Sequence, residues 1–284
     1  MSRVRDVRDE RHSVVKLDSD CDDQKNAEFF SAAVMRFLRT EETLAVSCAV
    51  RVAPGEVHVW PLSLDSQESI RGRFAALLDQ AEQQRAARYY HERDRHAFVL
   101  ARGQMRYLLA RYCDVGAASI RFVASPSGKP RLAADLPCAT RISFNLSHSG
   151  GRALLAVTDG AELGVDLECH DRKTDVLSLA EHYFSVPERE AVASAEESAR
   201  VTTFFRIWTG KEAIIKAHGE GLGIPLDAFS VAHTITGEDF ARVKTFSEAR
   251  LDEGWFVRPL PCERGWSAAL AGRAPLQVQV MGQS

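Results

Sequence analysis

The spacing of apolar residues along this chain predicts a mixture of helices and strands. In the second part of the stretch 70–112, apolar side chains recur every three or four positions, which indicates one face of a long helix. An interruption of that helix is expected near 91–95. A second helix is predicted to run from about 202 to 218 and to end at Gly219, because glycine readily adopts the left-handed conformation that follows helices.

Strands are predicted where apolar and polar residues alternate, or where short apolar runs lie between turn residues. The predicted strands lie at 56–64, 142–146, 153–158, 163–168, 227–233, 242–246, 254–259 and 266–271. A polar loop at 147–151 joins the second strand to the third, and Ser185 and Glu188 have the spacing of a capping box. Since helices and strands occur in both halves of the chain, we expect an α+β fold.

The first 55 residues differ from the rest of the chain. Residues 1–25 are dense in charge and poor in apolar side chains, which is typical of a mobile tail. A short helix is predicted at 26–39 and a strand at 44–52, before Pro54 and Gly55 break the chain. We therefore expect an N-terminal extension and two α+β subdomains, which span 1–55, 56–160 and 161–284.

Composition narrows the class of protein. The 284 residues are 45% hydrophobic and 26% charged, as in an ordinary soluble protein, and the net charge of −3 argues against a general nucleic-acid binder. No apolar run approaches the roughly 18–20 residues that a membrane span needs, and the N-terminus lacks an apolar signal core. The six cysteines lie far apart without a C-x-x-C pair, so we expect reduced thiols and a cytoplasmic location.

Two carboxylates occupy alternate positions of the predicted strand 163–168. Because side chains alternate between the faces of a strand, Asp166 and Glu168 point to the same side, away from Val165 and Leu167. Neighbouring carboxylates repel each other unless a cation lies between them, and hard oxygen ligands suit Mg²⁺. The alternative is that this side of the strand simply faces solvent.

Glu212 and Lys216 lie one turn apart on the predicted helix 202–218. They could form a surface ion pair. The helix is otherwise rich in large apolar residues, however, so its polar strip would face either solvent or a cleft. In a cleft, the pair would supply a base beside a cation, an arrangement that suits an anionic substrate.

The loop 147–151 holds Ser147, His148 and Ser149 ahead of two glycines. These side chains could offer several hydrogen bonds to a phosphate, and the alternative is a polar hairpin turn. A Ser–His hydrolytic pair is a poor interpretation, because residues adjacent on a strand face opposite ways.

The stretch 81–112 carries seven arginines and three acidic residues, a local net charge of +4. The planar guanidinium of arginine fits phosphate, although a run of charge is more often a solvated face. Lys129 follows Gly128 in a turn and could also reach an anion, or could simply be solvated.

Three motifs in a fixed order resemble the 4′-phosphopantetheinyl transferases of the surfactin-synthetase-activating type. They are FNLSHSG at 144–150, GVDLE at 164–168 and WTGKEAIIKAHGEGL at 208–222. The shorter segments RAARY at 85–89, GKP at 128–130 and GLGIPLDAF at 221–229 are similar to the same family. The resemblance covers about 56–272.

The resemblance implies an activity and an architecture. The family transfers the phosphopantetheine arm of coenzyme A to a serine of an acyl or peptidyl carrier protein, and releases 3′,5′-ADP. Its fold consists of two similar α+β halves related by a pseudo-two-fold axis, with coenzyme A and Mg²⁺ in the cleft between them. A long chain of this type is expected to be a monomer that serves polyketide or nonribosomal peptide synthetases, without nucleic-acid or membrane partners.

The resemblance also implies roles for single residues. Glu212 is expected to take the proton of the carrier serine, and Lys216 to assist the leaving phosphate. Mg²⁺ is expected at Asp166, Glu168 and Glu212. The phosphates of coenzyme A are expected at Arg85, Arg102, Lys129, Ser147 and His148. Because Glu82 stands where some members have lysine, the 3′-phosphate is expected to rely on Arg85 and Arg102.

Two rival functions remain open at this stage. A metal-dependent nuclease also combines carboxylates with a lysine, but here Lys216 lies four residues after Glu212 rather than two, and the chain lacks a broad basic surface. The second rival is a carrier-binding module that has lost its catalytic activity. Such a module would not need Asp166 and Glu168 together with Glu212 and Lys216.

Overall fold

The structure, a computed structural model, describes residues 34–125, 128–170, 173–219, 223–246 and 251–283. The predicted mobile tail at 1–25 and most of the predicted helix at 26–39 therefore lie outside the described residues. The helices are α1 Thr40–Ala45, α2 Glu68–Ala75, α3 Gln80–Ala87, α4 Glu92–Cys113, α5 Val176–Tyr183, α6 Val186–Ser194 and α7 Glu197–His218. The strands are β1 Glu56–Ser63, β2 Phe122–Ala124, β3 Pro130–Leu132, β4 Ile142–Ser149, β5 Arg152–Asp159, β6 Leu163–Cys169, β7 Phe229–Ser230, β8 Ala241–Arg242, β9 Lys244–Thr245, β10 Phe256–Leu260, β11 Trp266–Gly272 and β12 Gln277–Val280.

Two four-stranded sheets form the centre of the molecule, with the strand orders β12-β1-β5-β4 and β6-β11-β10-β8. They pack face to face through a shared core, to which β1 contributes Val57 and Val59 and β6 contributes Val165 and Leu167. The outer face of each sheet is covered by one long helix, α4 on the first and α7 on the second. This mixture of helices and sheets in two similar halves confirms the predicted α+β fold.

The final strand returns to the first half. Strand β12 lies parallel to β1, and Glu56 is paired with Gln277 at the start of this contact. Residues before β1 also pack on the first half, since Leu38 and Val52 are buried in its core. The proposed boundaries at 55 and 160 stay a prediction.

Several predicted elements are confirmed. Helix α7 ends where Gly219 adopts φ 85°, and the buried face of α4 includes Phe98 and Met105. The capping box at Ser185 and Glu188 is present, because the Glu188 carboxylate accepts the backbone N–H of Ser185 at 3.0 Å.

The segment before β1 was predicted wrongly. Residues 34–39 are extended rather than helical, because the backbone N–H of Leu38 donates to the carbonyl of Pro61 at 2.8 Å, beside β1. The strand predicted at 44–52 is absent, and α1 takes up its first two residues. Leu44, Val46, Val50 and Val52 pack on the first core without joining a sheet, whereas Cys48 is exposed.

The predicted helix at 70–112 is interrupted at two places, 76–79 and 88–91, rather than at one place near 91–95. It is divided into α2, α3 and α4 because Asp79 caps α3, where its carboxylate accepts the backbone N–H of Glu82 at 2.9 Å. The predicted loop at 147–151 is also shorter. Strand β4 continues to Ser149, and only two glycines with positive φ make the hairpin turn to β5.

The expectation that all cysteines are reduced is wrong for one pair. Cys113, at the end of α4, and Cys138, ahead of β4, form a disulfide with a Cα–Cα distance of 4.9 Å. The two residues are 25 positions apart, and only the packing of α4 on the first sheet brings them together. No helix within the described ranges combines the length and the apolar character that a membrane crossing needs.

Candidate active site

The two carboxylates of β6 face helix α7. Odd-numbered residues of this strand enter the core between the sheets, so Asp166 and Glu168 point to the opposite side. Asp166 is only 2% exposed. The carboxylates of the GVDLE motif therefore do not lie on a solvated face, which was the alternative left open by the sequence.

Gly164 allows α7 to approach β6 closely. A Cβ atom at this position would overlap the carbonyl oxygen of Ala213 and the backbone nitrogen of Ala217. Steric exclusion by the α7 backbone thus explains why glycine occupies the first position of the GVDLE motif. Its consequence is that Glu212 and Lys216, on the same stretch of α7, lie against the carboxylates of β6.

Lys216 and Asp166 form the central contact of the site. The Lys216 ammonium donates to Oδ1 of Asp166 at 2.6 Å and to the Ser147 hydroxyl at 2.9 Å. Ser147 in turn donates to the same Oδ1 at 2.8 Å. The other oxygen of Asp166, Oδ2, is buried and has no hydrogen-bond partner among the described residues.

Carboxylates outnumber cations here, and their pKa values reflect this. Burial raises the pKa of Glu168 to about 8, and repulsion from Asp166 adds to the shift, whereas Ser149 and Lys216 oppose it. Burial also raises the pKa of Glu212 to about 7, again with a contribution from Asp166 and an opposing one from Lys216. A carboxylate with a pKa near neutrality suits a general base.

The donor set fits a hard cation. Carboxylate oxygens are the ligands that Mg²⁺ prefers, and the buried Oδ2 of Asp166 lacks the partner that such an atom needs. Among the residues that the structure describes, no three His, Cys, Asp or Glu side chains are arranged so that they could hold a metal ion as they stand. In this arrangement, the cation beside Asp166 is the ammonium of Lys216.

Strand β4 places its polar side chains in a way that the sequence analysis missed. Ser147 is buried and His148 is exposed, as expected for neighbours on a strand. Ser149 lies on the same side as Ser147, and its hydroxyl donates to Oε2 of Glu168 at 2.9 Å. The signal was the alternation of Asn145, Ser147 and Ser149, which indicates one polar face of a strand rather than a loop.

Arg85 and Arg102 both contact the ring of Phe98. Their guanidinium groups lie 5.5 and 5.8 Å from the centroid of that ring. The acidic Glu82 does not stand free beside them. Its carboxylate accepts a hydrogen bond of 2.6 Å from the buried Arg106, and Arg102 lies 3.9 Å away. Arg106 is shared with Asp79, which lies 2.5 Å away. Three arginines and two carboxylates therefore leave a net local charge of +1 around Phe98.

Lys129 reaches the second half of the molecule. Its ammonium donates to the carbonyl of Leu163 at 2.8 Å and to that of Ala217 at 3.3 Å, next to Lys216 on α7. Burial lowers the pKa of Lys129 to about 8. The alternative that this lysine is simply solvated is therefore wrong.

A second lysine on α7 lies outside the site. Lys211 is fully buried and donates to Glu188 at 2.7 Å and to the carbonyls of Leu226 and Phe229 at 2.6 and 2.7 Å. The other oxygen of Glu188 accepts the backbone N–H of Val231 at 2.8 Å. This network anchors the segment after α7 to the start of α6.

Comparison with known proteins covers both halves of the chain. The family model described as the 4′-phosphopantetheinyl transferase superfamily matches residues 162–271, and the one described as 4′-phosphopantetheinyl transferase, N-terminal, matches residues 66–159. The chain is 38% identical over 181 residues to the 4′-phosphopantetheinyl transferase HetI of Nostoc sp., an alignment that covers 64% of this chain and 76% of that protein. It is 33% identical over 171 residues to the 4′-phosphopantetheinyl transferase Sfp of Bacillus subtilis, which covers 60% and 71%.

Proposed function

We propose a substrate, a metal and residue roles for this chain, which belongs to the 4′-phosphopantetheinyl transferase superfamily and is an enzyme of that type. The proposed reaction moves the phosphopantetheine arm of coenzyme A to a serine of an apo acyl or peptidyl carrier protein. The observation that carries the proposal is the convergence of Asp166, Glu168, Glu212 and Lys216 at the contact of β6 with α7.

The proposed reaction is a displacement at phosphorus. A bond forms between the serine oxygen and the phosphorus that bears the pantetheine arm. The bond from that phosphorus to the oxygen of 3′,5′-ADP breaks, and ADP leaves with the electron pair. Glu212 takes the serine proton, because a hydroxyl is a weak nucleophile until a base removes it.

Asp166, Glu168 and Glu212 would hold Mg²⁺. The chemistry that the ion supplies when bound is neutralisation and orientation of the diphosphate. Lys216 keeps a positive charge against the developing charge of the leaving phosphate, because the neighbouring carboxylates outweigh the effect of burial and raise its pKa.

The phosphates of coenzyme A are proposed to bind Arg85, Arg102, Lys129, Ser147 and His148. The net positive charge around Phe98 supports the assignment of Arg85 and Arg102 to the 3′-phosphate, since Glu82 lies closer to Arg106 than to Arg102. The other three residues border the contact between β4, β6 and α7. One chain supplies both sides of this site, which supports a monomer. Service to polyketide or nonribosomal peptide synthetases and a cytoplasmic location stay predictions.

Intact-mass measurement tests the proposal. With Mg²⁺ and coenzyme A, an apo carrier protein should gain about 340 Da, the mass of the transferred arm. Glu212→Gln should abolish the gain and keep a wild-type circular dichroism spectrum, because the amide is isosteric but cannot take a proton. The absence of any gain across a panel of acyl and peptidyl carriers would contradict the proposed function. Full activity of Glu212→Gln would contradict only the assignment of the base.

A further inference from the structure

Side chains of β4 form a regular series of hydrogen bonds to the backbone of β6. Three alternate residues of one strand accept the N–H groups of three alternate residues of the other, each pair being 20 positions apart. The pairs are Asn145 Oδ1 with Val165 N at 2.8 Å, Ser147 Oγ with Leu167 N at 3.3 Å, and Ser149 Oγ with Cys169 N at 3.2 Å.

This series joins the two sheets at their edges. Strand β6 is the edge strand of the second sheet, and β4 is the edge strand of the first. Edge N–H groups need acceptors, and here polar side chains supply them in place of a further strand. The series therefore holds the strand that carries Asp166 and Glu168 at one register along β4.

Ser149 does more than accept an N–H group. Its single hydroxyl proton is directed to Oε2 of Glu168 at 2.9 Å, while its lone pair accepts from Cys169. A hydroxyl that is held by the backbone on one side has a fixed position, so the carboxylate that it binds has one preferred orientation. Glu168 also faces the like charges of Asp166 and Glu212 and the opposite charge of Lys216.

We propose that Ser149 is a positioning residue, which orients the Glu168 carboxylate for metal binding by a hydrogen bond anchored to the β6 backbone. This inference rests on the proposed function only in so far as Glu168 is a ligand of the divalent cation. Groups that orient metal ligands in this way typically change metal affinity by 10- to 100-fold.

The test compares variants that differ by one hydroxyl. Ser149→Thr keeps the hydroxyl. Ser149→Val has the shape of the threonine variant but lacks the hydroxyl. Ser149→Ala provides a second variant without the hydroxyl, in case the larger side chain prevents folding. Thr158→Val is the matched control, because it removes a hydroxyl that donates to the carbonyl of Glu56 at 2.6 Å, on a residue of β5 that pairs with Ser143, six positions before Ser149 on β4.

The first readout is binding of Mn²⁺, used as a probe for the metal, measured by electron paramagnetic resonance without coenzyme A. Ser149→Val and Ser149→Ala should bind Mn²⁺ about tenfold more weakly than the wild type, whereas Ser149→Thr and Thr158→Val should stay within about threefold. The second readout is arm transfer. The loss of kcat in Ser149→Ala should be recovered by raising Mg²⁺, with the KM for coenzyme A changed less than twofold.

The outcomes separate this inference from the proposed function. If the wild type transfers the arm and Ser149→Ala binds Mn²⁺ as tightly as the wild type does, the positioning role is wrong and the function stands. If the wild type transfers nothing but the hydroxyl-dependent difference in Mn²⁺ binding is seen, the function is wrong and the positioning role stands. A wild type that binds no Mn²⁺ would overturn the positioning role.

Discussion

Helix α7 carries two lysines five residues apart, Lys211 fully buried and Lys216 partly buried, and their surroundings differ in one decisive way. All three donors of the Lys211 ammonium are taken up, by Glu188 and by two backbone carbonyls. Lys216 instead lies among three carboxylates, and Oδ2 of Asp166 has no hydrogen-bond partner among the described residues. We call the first network closed, because every donor of its ammonium has an acceptor. We call the second network open, because it retains a carboxylate oxygen that can still accept a hydrogen bond or bind a cation.

The pKa shifts of the two lysines follow from this difference. Burial lowers the pKa of Lys211, although Glu188 and, to a smaller extent, Asp227 oppose the shift. For Lys216, Asp166 and Glu212 together outweigh burial, and the pKa is raised. A closed pair can hold a segment of chain in place, whereas an open cluster with excess negative charge can receive a cation and a reacting group. The following experiments test this contrast.

The largest expected effect is on stability, at the closed pair. Lys211→Met should lower the free energy of unfolding by about 3–5 kcal/mol, because it leaves Glu188 charged and buried without its cation. Urea denaturation measures this loss. The double variant Lys211→Met/Glu188→Gln should be more stable than the single one, since the amide carries no charge and its oxygen can still accept the backbone N–H of Val231. A double variant less stable than the single one would contradict the account.

At the open cluster, the main effect should be on activity. Lys216→Met should lower kcat by about 10²–10³-fold, the usual effect of losing one group that stabilises transition-state charge. Its free energy of unfolding should change less than that of Lys211→Met, because Lys216 keeps 23% of its side chain exposed. Arm transfer and urea denaturation on the same preparations measure both quantities. Equal losses of stability in the two variants would remove the distinction between the networks.

An intermediate effect is expected where α7 meets β6. Gly164→Ala should lower the free energy of unfolding by about 1–3 kcal/mol, because the added Cβ must push the α7 backbone away from the strand. Activity should fall as well, since Glu212 and Lys216 move with the helix. Gly151→Ala is not a suitable control because Gly151 has a positive φ. Gly72→Ala, where a Cβ meets nothing within 4 Å, should be neutral or stabilising.

The smallest effect concerns pH. The pKa of Lys129 is about 8 in the folded chain, below the ordinary value of 10.5, so the unfolded chain binds more protons between these values. The free energy of unfolding of the wild type should therefore rise from pH 8 to pH 10 relative to that of Lys129→Met. Urea denaturation at three pH values measures the difference. Parallel pH dependences for the two proteins would show that the burial of Lys129 does not matter.

Local pattern was enough for part of the candidate site. Period-two alternation predicted that Asp166 and Glu168 share one side of a strand, and helical spacing predicted that Glu212 and Lys216 are neighbours. The capping box at Ser185 was equally readable, because all of its atoms lie within one helical turn. In each case, the interacting residues are close in sequence, and their geometry follows from the backbone alone.

The partners across the fold could not be read in this way. The ion pair of Glu82 with Arg106, the bond of Ser149 to Glu168 and the disulfide of Cys113 with Cys138 all join distant positions. Strand β12, which pairs with β1, was not predicted at all. A single sequence shows which polar or charged residues need an interaction partner when they are buried, but it does not show which distant residue supplies that partner.

The sequence by itself thus determined the central strands β4, β5, β6 and β11 and the end of α7, the chemistry of the carboxylates and lysine, and the family they resemble. The tertiary structure alone decided which lysine of α7 is closed off by Glu188 and which one lies open among Asp166, Glu168 and Glu212. The physical reason is that hydrogen bonding and periodicity within an element act over a few residues. Burial and electrostatic coupling, in contrast, depend on what the packing of the two sheets and α7 brings near.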